Sequence, residues 1–303
     1  MWNRKVRGFV ENEFPETARL YRYLRDNTKR YKIQHSKYGF DFHGTSDLDL
    51  SRTNSNESTN ILRAVLISDF FIDIGANIGY FSLLARNAKN LRVLSIEPAK
   101  RNLFWLMKNI KLNSLDIEVI PCAIGEFNGV TEIFGDGQGA SREEFWAGIS
   151  NQHSKEVKIR TLDSFGFQNN PQLNFCIKID VEGFEYEIIK GAPEVLRLSN
   201  VCIFFENGFT RNIPENFESK YFELFYQFWD NDFVVYNLET LLHLDRDNLE
   251  AYTKWNIQDE CINYVAFRQG SVYELMFADI FNKNLSFREF FKVQENRKPE
   301  HSS

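Results

Sequence analysis

Short apolar runs recur along the chain from about residue 70, and the segments between them are long enough for helices. Residues 101–113 form one such helix-length segment. Strands that alternate with helices are typical of a parallel sheet covered by helices on both faces. The pattern therefore predicts an α/β fold with a doubly wound, mostly parallel sheet. The five predicted strands are residues 70–74, 92–96, 117–120, 175–179 and 201–205.

The segment between Gly125 and Asp163 breaks this alternation. Two short strand candidates, residues 130–134 and 157–161, flank a long stretch that is rich in glycine and charge. We predict a β-hairpin insertion over about residues 127–161, with a long tip. The last third of the chain predicts an aromatic helix near 217–228 and strands near 233–236 and 264–267.

The first 60 residues do not follow the strand and helix alternation. Apolar positions after Pro15 recur at helical spacing with arginines beside them, which predicts an N-terminal helix. Residues 41–60 are rich in Asp, Ser and Asn, as is typical of a linker, and helix is expected to resume over 61–67. We therefore expect three parts: a helical extension and linker (1–60), a main domain (61–291) and a flexible tail (292–303).

The composition of the 303-residue chain is that of a globular protein, with 43% hydrophobic and 15% aromatic residues. Its four cysteines lack paired or metal-type spacing, so we expect buried free thiols and a reducing compartment. No apolar run approaches the length of about 20 residues that spans a bilayer, and the N-terminus has no signal-peptide pattern. A cytoplasmic protein without a transmembrane segment is the expectation.

The charge of the chain is unevenly distributed. The net charge is −6, yet residues 1–32 hold nine Lys or Arg against four acids, a local charge of +5. The overall acidity argues against a nucleic-acid partner, which needs a basic surface. A basic helix packed on an acidic domain is the simplest interpretation. A homo-oligomer or a membrane-surface contact through this helix stays open.

The stretch "FIDIGANIGYFSL" (residues 71–83) places Asp73, Gly75, Asn77 and Gly79 at alternate positions between a strand and a helix. Parallel sheets bind ligands at the carboxyl ends of their strands, and the glycines allow a sharp turn and close approach there. Exposed N–H groups at the helix start attract a carboxylate or phosphate. Asp73 would repel a pyrophosphate but favour an ammonium or sulfonium group, so the loop indicates a cationic nucleoside ligand. A plain tight turn is the alternative.

Glu97 follows the next predicted strand, about 20 residues beyond the glycines. An acid at that place accepts hydrogen bonds from ribose hydroxyls. A ribose together with an amino-acid end describes S-adenosylmethionine (SAM). Ala123, in "PCAIGE", is small enough to let backbone groups approach an adenine ring, although a plain strand end explains this segment nearly as well.

An acidic cluster, "DVEGFE", follows the fourth predicted strand. Asp180 ends the strand, Glu182 lies in the turn and Glu185 enters the following helix. Such acids can accept a proton from a hydroxyl or bind a divalent cation. Alternatively, the two glutamates only favour the positive end of the helix.

Five motifs, in this order, resemble the FkbM family of SAM-dependent methyltransferases: "FIDIGANIGYFSL", "SIEP", "PCAIGE", "IRTLDSF" and "KIDVEGFEYEIIKGA". The similarity extends over about residues 65–206. It implies the Rossmann-like class I methyltransferase sheet of seven strands, the last antiparallel, and O-methylation of a hydroxyl, commonly on a sugar or natural product. It also implies a methionine-binding loop at Asp73, Gly75, Asn77 and Gly79, a ribose ligand at Glu97 and an adenine contact at Ala123.

We therefore predict a SAM-dependent O-methyltransferase that acts on a sugar, glycan or related small molecule, with Asp180 or Glu182 as the base. No metal site is predicted, although a metal-dependent reaction stays open. One alternative is a non-catalytic cofactor-binding or assembly module. A nicotinamide-dependent oxidoreductase is a lesser one, because its loop normally reads G-x-G-x-x-G, whereas these glycines lie four apart.

Overall fold

A computed structural model describes residues 33–43, 56–134, 154–181, 183–208, 215–255 and 261–281. Thirteen strands lie within these ranges: β1 (Ile33–His35), β2 (Asp41–His43), β3 (Phe70–Ile74), β4 (Arg92–Ile96), β5 (Glu118–Ile120), β6 (Ala123–Ile124), β7 (Gly129–Phe134), β8 (Ser154–Arg160), β9 (Phe175–Ile179), β10 (Val201–Glu206), β11 (Phe233–Asn237), β12 (His243–Leu244) and β13 (Asn263–Arg268). The α-helices of the same ranges are α1 (Asn56–Ile67), α2 (Tyr80–Ala88), α3 (Lys100–Leu112), α4 (Glu185–Lys190), α5 (Glu215–Asp230), α6 (Leu249–Trp255) and α7 (Val272–Phe281).

The central sheet contains eight strands in the order β12-β11-β13-β10-β9-β3-β4-β5. Strands β5, β4, β3, β9 and β10 are parallel, and β13 runs antiparallel between β10 and β11. This confirms the predicted mostly parallel sheet with an antiparallel last strand. The eighth strand, β12, adds two residues at the edge beside β11. A strand of two residues is too short to leave an apolar run in the sequence, so β12 could not be predicted.

Helices cover both faces of the sheet, which confirms the doubly wound arrangement. Alternate residues of β3 show the two layers, since Ile72 joins the core beneath α4, α5 and α6, while Phe71 joins the core beneath α1, α2, α3 and α7. All five residues of β3 and of β9 are buried. A strand buried on both faces reads as a continuous apolar run, so these strands were the clearest in the sequence.

The predicted hairpin insertion is confirmed at its base. Strands β7 and β8 pair antiparallel, from Gly129 opposite Ile159 to Phe134 opposite Ser154. Strand β6, which was not predicted, adds to β8 in parallel and completes a three-stranded sheet. The tip, residues 135–153, lies outside the described residues.

The prediction of a continuous linker over residues 41–60 is wrong at both ends. Strands β1 and β2 form a small hairpin, and α1 already begins at Asn56. The hairpin is anchored at the C-terminal end of α3, where the His43 backbone N–H donates to Asn109 Oδ1 and the Asp41 backbone N–H donates to Oδ1 of the following Asn113, each at 2.7 Å. Phe42 is fully buried, but one aromatic among polar residues gives no periodic signal. The predicted N-terminal helix and C-terminal tail lie outside the described residues, and the domain boundary near residue 60 stays a prediction.

The four cysteines are thiols rather than disulfides, and the prediction of burial is confirmed for Cys122, Cys176 and Cys202. Burial raises the pKa of each of these three thiols, which disfavours the reactive thiolate. Within the described ranges, no helix combines the length and the apolar character that crossing a bilayer requires.

Candidate cofactor and catalytic site

The glycine loop between β3 and α2 lies against the end of β9. Gly75 has a φ of 79°, and a Cβ at this position would lie 1.8 Å from the Asp180 carbonyl oxygen. Gly79 has a φ of 97°, and its Cβ would lie 2.5 Å from Leu106 Cδ1. Both positions therefore need glycine for conformation, and Gly75 needs it for space as well, because its neighbour is backbone, whereas the end of the Leu106 side chain can shift. The loop that carries the predicted cofactor motif therefore contacts the backbone of Asp180, the predicted catalytic acid.

Asn77 lies at the turn of this loop with a φ of 51°, a conformation that asparagine tolerates better than most residues. Its backbone N–H donates to Glu97 Oε2 at 2.8 Å. The side-chain Oδ1 is buried and has no hydrogen-bond partner among the described residues. A buried acceptor without a partner is uncommon in proteins, so Asn77 offers a position for a ligand donor.

Glu97 lies just beyond β4 and is only 4% exposed. Besides the Asn77 N–H, it accepts hydrogen bonds from the Ala99 N–H at 2.8 Å and from Asn102 Nδ2 at 3.2 Å. Burial raises the pKa of Glu97 to about 7, although these hydrogen bonds oppose the shift. The structure thus brings Glu97 to the Asn77 loop, as the predicted ribose site requires.

Asp73, at the fourth position of β3, is 2% exposed. Its carboxylate accepts a hydrogen bond from Ser82 Oγ of α2 at 2.5 Å, and that hydroxyl lies 2.7 Å from Ser95 Oγ of β4. Burial raises the pKa of Asp73, while Lys178 and Ser82 act in the opposite direction. The carboxylate therefore connects the loop's strand to its helix. A direct contact with a ligand ammonium stays a prediction, as does the adenine contact of Ala123, a buried residue of β6.

The acidic segment after β9 contains two residues of different character. The Asp180 side chain is 35% exposed, and its Oδ2 accepts a hydrogen bond from Lys178 Nζ at 2.8 Å. Glu185 is 5% exposed and accepts from the backbone N–H groups of Val181 at 3.1 Å and Gly183 at 3.4 Å. Burial raises the pKa of Glu185 to about 8. Glu185 therefore fixes the turn, whereas the Asp180 carboxylate is partly exposed. Glu182 lies outside the described residues.

Two charged residues of the site, Lys178 and Glu57, were missed in the sequence. Lys178 is 2% exposed in the otherwise apolar strand β9, and its Nζ lies 3.7 Å from Glu57 Oε1 of α1. Burial raises the pKa of Glu57 to about 7, against the effect of the nearby ammonium. A lysine inside an apolar strand, "FCIKI", was the available signal, because lysine is almost never fully buried without a partner. Nothing in the sequence indicated Glu57.

The described ranges contain no group of three His, Cys, Asp or Glu side chains arranged to hold a metal ion.

A family model described as the methyltransferase FkbM domain matches residues 73–235, which is more than half of the chain. The chain belongs to the FkbM methyltransferase family. This confirms the predicted resemblance to that family. The nicotinamide-dependent alternative thereby loses its support.

The chain is also similar, in part, to individual known proteins. Trm5b of Methanocaldococcus jannaschii, a tRNA (guanine(37)-N(1))-methyltransferase, is 38% identical over 65 residues, which are 22% of this chain and 19% of that protein. The chain thus aligns with about a fifth of this curated relative. A solved FkbM methyltransferase from Methylobacillus flagellatus is 17% identical, with 66% of this chain and 43% of that chain covered and a TM-score of 0.34. An O-methyltransferase from Bacillus cereus in complex with SAH is 12% identical, with 88% and 97% covered and a TM-score of 0.42.

Proposed function

We propose that this FkbM methyltransferase transfers a methyl group from SAM to a hydroxyl oxygen of a sugar, glycan or related small molecule, with Asp180 as the base. The observation that carries the proposal is the place of Asp180. Its backbone contacts the Gly75 turn, and its partly exposed carboxylate has no described partner for Oδ1. A base for methyl transfer must lie within hydrogen-bond reach of an acceptor held beside the cofactor loop.

The residues of the glycine loop fit the cofactor. The buried Asn77 Oδ1 has no described partner and can accept a hydrogen bond from the ammonium of the methionine part. Glu97 Oε2 accepts one hydrogen bond among the described residues, and a carboxylate oxygen can accept a second from a ribose hydroxyl. Asp73, Gly75 and Gly79 would shape the loop around the methionine part, and Ala123 would adjoin the adenine. When bound, SAM supplies an electrophilic methyl group on a sulfonium.

The chemistry that remains for the chain is to orient the acceptor and to remove its proton. A hydroxyl is a weak nucleophile until its proton begins to leave, and the Asp180 carboxylate can accept that proton as the oxygen gains the methyl group. Holding the acceptor at about 3 to 3.5 Å from the methyl carbon accounts for much of the remaining rate enhancement. Glu182 stays the second candidate for the base.

A hydroxyl-rich acceptor agrees with the polar groups that lie near Asp180. Glu57 is close enough to both Asp180 and Glu239 for each of these carboxylates to raise its pKa, and Glu239, which follows β11, accepts a hydrogen bond from Asn263 Nδ2 at 2.6 Å. Helix α1 connects the two glutamates, because Asn56 Nδ2 donates to the Leu238 carbonyl. Carboxylate and amide oxygens are acceptors for sugar hydroxyls. The acceptor is therefore proposed as a polyhydroxylated molecule.

The experiment begins with the mass of any small molecule that copurifies with the full chain, for which we expect SAM or its demethylated product. A labelled-methyl assay then compares nucleotide sugars, glycans and, in view of the tRNA methyltransferase relative, tRNA. Label on a sugar hydroxyl supports the proposal, and label on tRNA alone contradicts it. Asp180→Asn should lower kcat by roughly 100- to 10,000-fold, leaving a slow but measurable transfer, with cofactor binding retained. A chain that binds SAM tightly but methylates nothing would favour a cofactor-binding module, and activity in excess chelator would exclude a required metal.

A further inference from the structure

Lys178 is a buried cation at the site to which no role has been assigned. It is the fourth residue of β9, a strand whose five residues are all buried. An ammonium in such a place is unfavourable unless anionic groups compensate it. An apolar side chain at position 178 could be buried without this desolvation cost. The position and the partners of Lys178 therefore indicate a role other than core packing.

The groups around the Lys178 ammonium come from α1, α2, β3 and the turn after β9. Nζ donates to Asp180 Oδ2 at 2.8 Å and lies 3.7 Å from Glu57 Oε1 of α1. It also lies 4.6 Å from the ring centroid of Phe81 in α2, within the range of a cation–π interaction. Asp73 is the register partner of Lys178 on the neighbouring strand β3. The ammonium therefore lies between the cofactor loop's acid and the proposed base.

The surroundings determine what Lys178 can do. Burial disfavours its charge, but Asp180, Glu57 and Asp73 together raise the pKa of Lys178 above its usual value. The side chain stays a cationic donor and cannot act as the base. Because it is 3% exposed, it also has little surface to offer an acceptor. Its effect on the reaction must pass through the carboxylate that it contacts.

We propose that Lys178 is a positioning residue: it holds Asp180 Oδ2, so that Oδ1 is directed to the acceptor hydroxyl, while Glu57 and Phe81 hold the ammonium in place. This inference rests on the proposed function, in which Asp180 is the base. It assigns to the lysine of "KID" a role in orienting the carboxylate rather than in binding substrate or cofactor.

The test is a double-mutant cycle with Lys178→Met and Asp180→Asn in the full chain, measured by labelled-methyl transfer. If Lys178 acts through Asp180, Lys178→Met lowers kcat by about 10- to 100-fold in the wild-type background and by less than about 3-fold in the Asp180→Asn background. The acid limb of the kcat–pH profile moves to higher pH, and the Kd for the demethylated cofactor product stays within about 3-fold. Lys178→Arg restores part of kcat.

Lys190→Met is the matched control. Lys190, the last residue of α4, is exposed, forms an ion pair with Glu126 and lies outside the site. Lys190→Met should leave kcat unchanged. A crystal structure of Lys178→Met should show the Asp180 carboxylate in a changed rotamer, and this readout does not depend on turnover. If Lys178→Met does not fold, Lys178→Gln, which keeps an N–H donor, replaces it in the cycle.

The outcomes separate the two proposals. Equal losses from Lys178→Met in both backgrounds, or an unchanged pH profile and Asp180 rotamer, would overturn the positioning role alone. Full activity in Asp180→Asn would overturn Asp180 as the base, and with it the role of Lys178. Absence of methyl transfer to any hydroxyl in the wild-type chain would overturn the proposed function.

Discussion

Gly75 and Asp180 are in such close contact that the Cβ of any other residue at position 75 would lie 1.8 Å from the Asp180 carbonyl oxygen. The contact joins the loop after β3 to the end of β9, and the Asp180 N–H also donates to the Ile74 carbonyl at 3.0 Å. Cofactor loop and proposed base therefore cannot move independently. The relative position of the two is set by backbone contact.

Gly75→Ala should consequently destabilise the fold and impair cofactor binding together. The φ of 79° is strained for alanine, and the clash with backbone adds an overpacking cost, so the unfolding free energy should fall by roughly 2 to 5 kcal/mol. Urea denaturation and calorimetric titration of the demethylated cofactor product measure the two effects.

Gly270→Ala is the control for this change. Gly270 has a φ of 80°, and an added Cβ would meet nothing within 4 Å. The unfolding free energy of Gly270→Ala should fall only by the cost of a positive φ for alanine, about 1 to 2 kcal/mol, with cofactor affinity unchanged. Equal losses in the two variants would show that the contact with Asp180 contributes nothing.

Asn77→Gly should weaken cofactor binding without destabilising the protein. Glycine adopts the φ of 51° without strain, so the change removes mainly the unpartnered Oδ1. Loss of a hydrogen bond to a charged group costs about 1.5 to 3 kcal/mol, which predicts a Kd raised by roughly 10- to 100-fold in calorimetric titration.

Ser114→Gly provides the comparison for Asn77→Gly, because Ser114 has a φ of 52° in the turn after α3. Its cofactor affinity should equal that of the wild type. A Kd for Asn77→Gly within about 2-fold of the wild-type value would mean that Oδ1 does not face the ligand.

The parallel strands could be predicted from the sequence because strands buried on both faces are continuous apolar runs, of which "FFIDI" and "FCIKI" are examples. Strands β6 and β12 have two residues each and leave no such pattern. The carboxyl ends of β3, β4 and β9 were placed together by the parallel arrangement itself, so the meeting of Gly75, Glu97 and Asp180 followed from the fold.

Contacts between distant elements could not be predicted in this way. Glu57 lies more than 100 residues before Lys178, in a segment whose polar composition indicated a linker. Only the packing of α1 beside the sheet brings the two together. The different environments of Asp180 and Glu185 could not be predicted either. They depend on the tertiary structure, in which the Glu185 carboxylate accepts hydrogen bonds from the N–H groups of Val181 and Gly183.

Glu97→Gln should lower cofactor affinity and leave kcat at saturating SAM nearly unchanged. The amide keeps one acceptor oxygen but replaces the other with a donor, which faces either the Asn77 or the Ala99 N–H. A lost ribose contact and a disturbed loop should raise KM for SAM by roughly 10-fold. Steady-state kinetics separate the two parameters, and Glu118→Gln, an exposed carboxylate at the start of β5, should behave as wild type. A fall in kcat with KM unchanged would contradict the ribose role.

Glu185 should make the protein less stable as the pH rises. Its pKa is about 8 in the folded state, because burial disfavours the charge, and near 4.5 when unfolded. Below pH 4.5 the group is protonated in both states and has no effect. Between pH 4.5 and 8 the unfolded chain releases the proton more readily, so the unfolding free energy falls, and above pH 8 the loss is complete. Urea denaturation measures the unfolding free energy at pH 5 and at pH 9. The fall in this free energy between the two pH values should be smaller for Glu185→Gln than for wild type, because the amide cannot titrate. An equal difference in the two proteins would mean that Glu185 is ionised in the turn and that the N–H groups of Val181 and Gly183 compensate its burial.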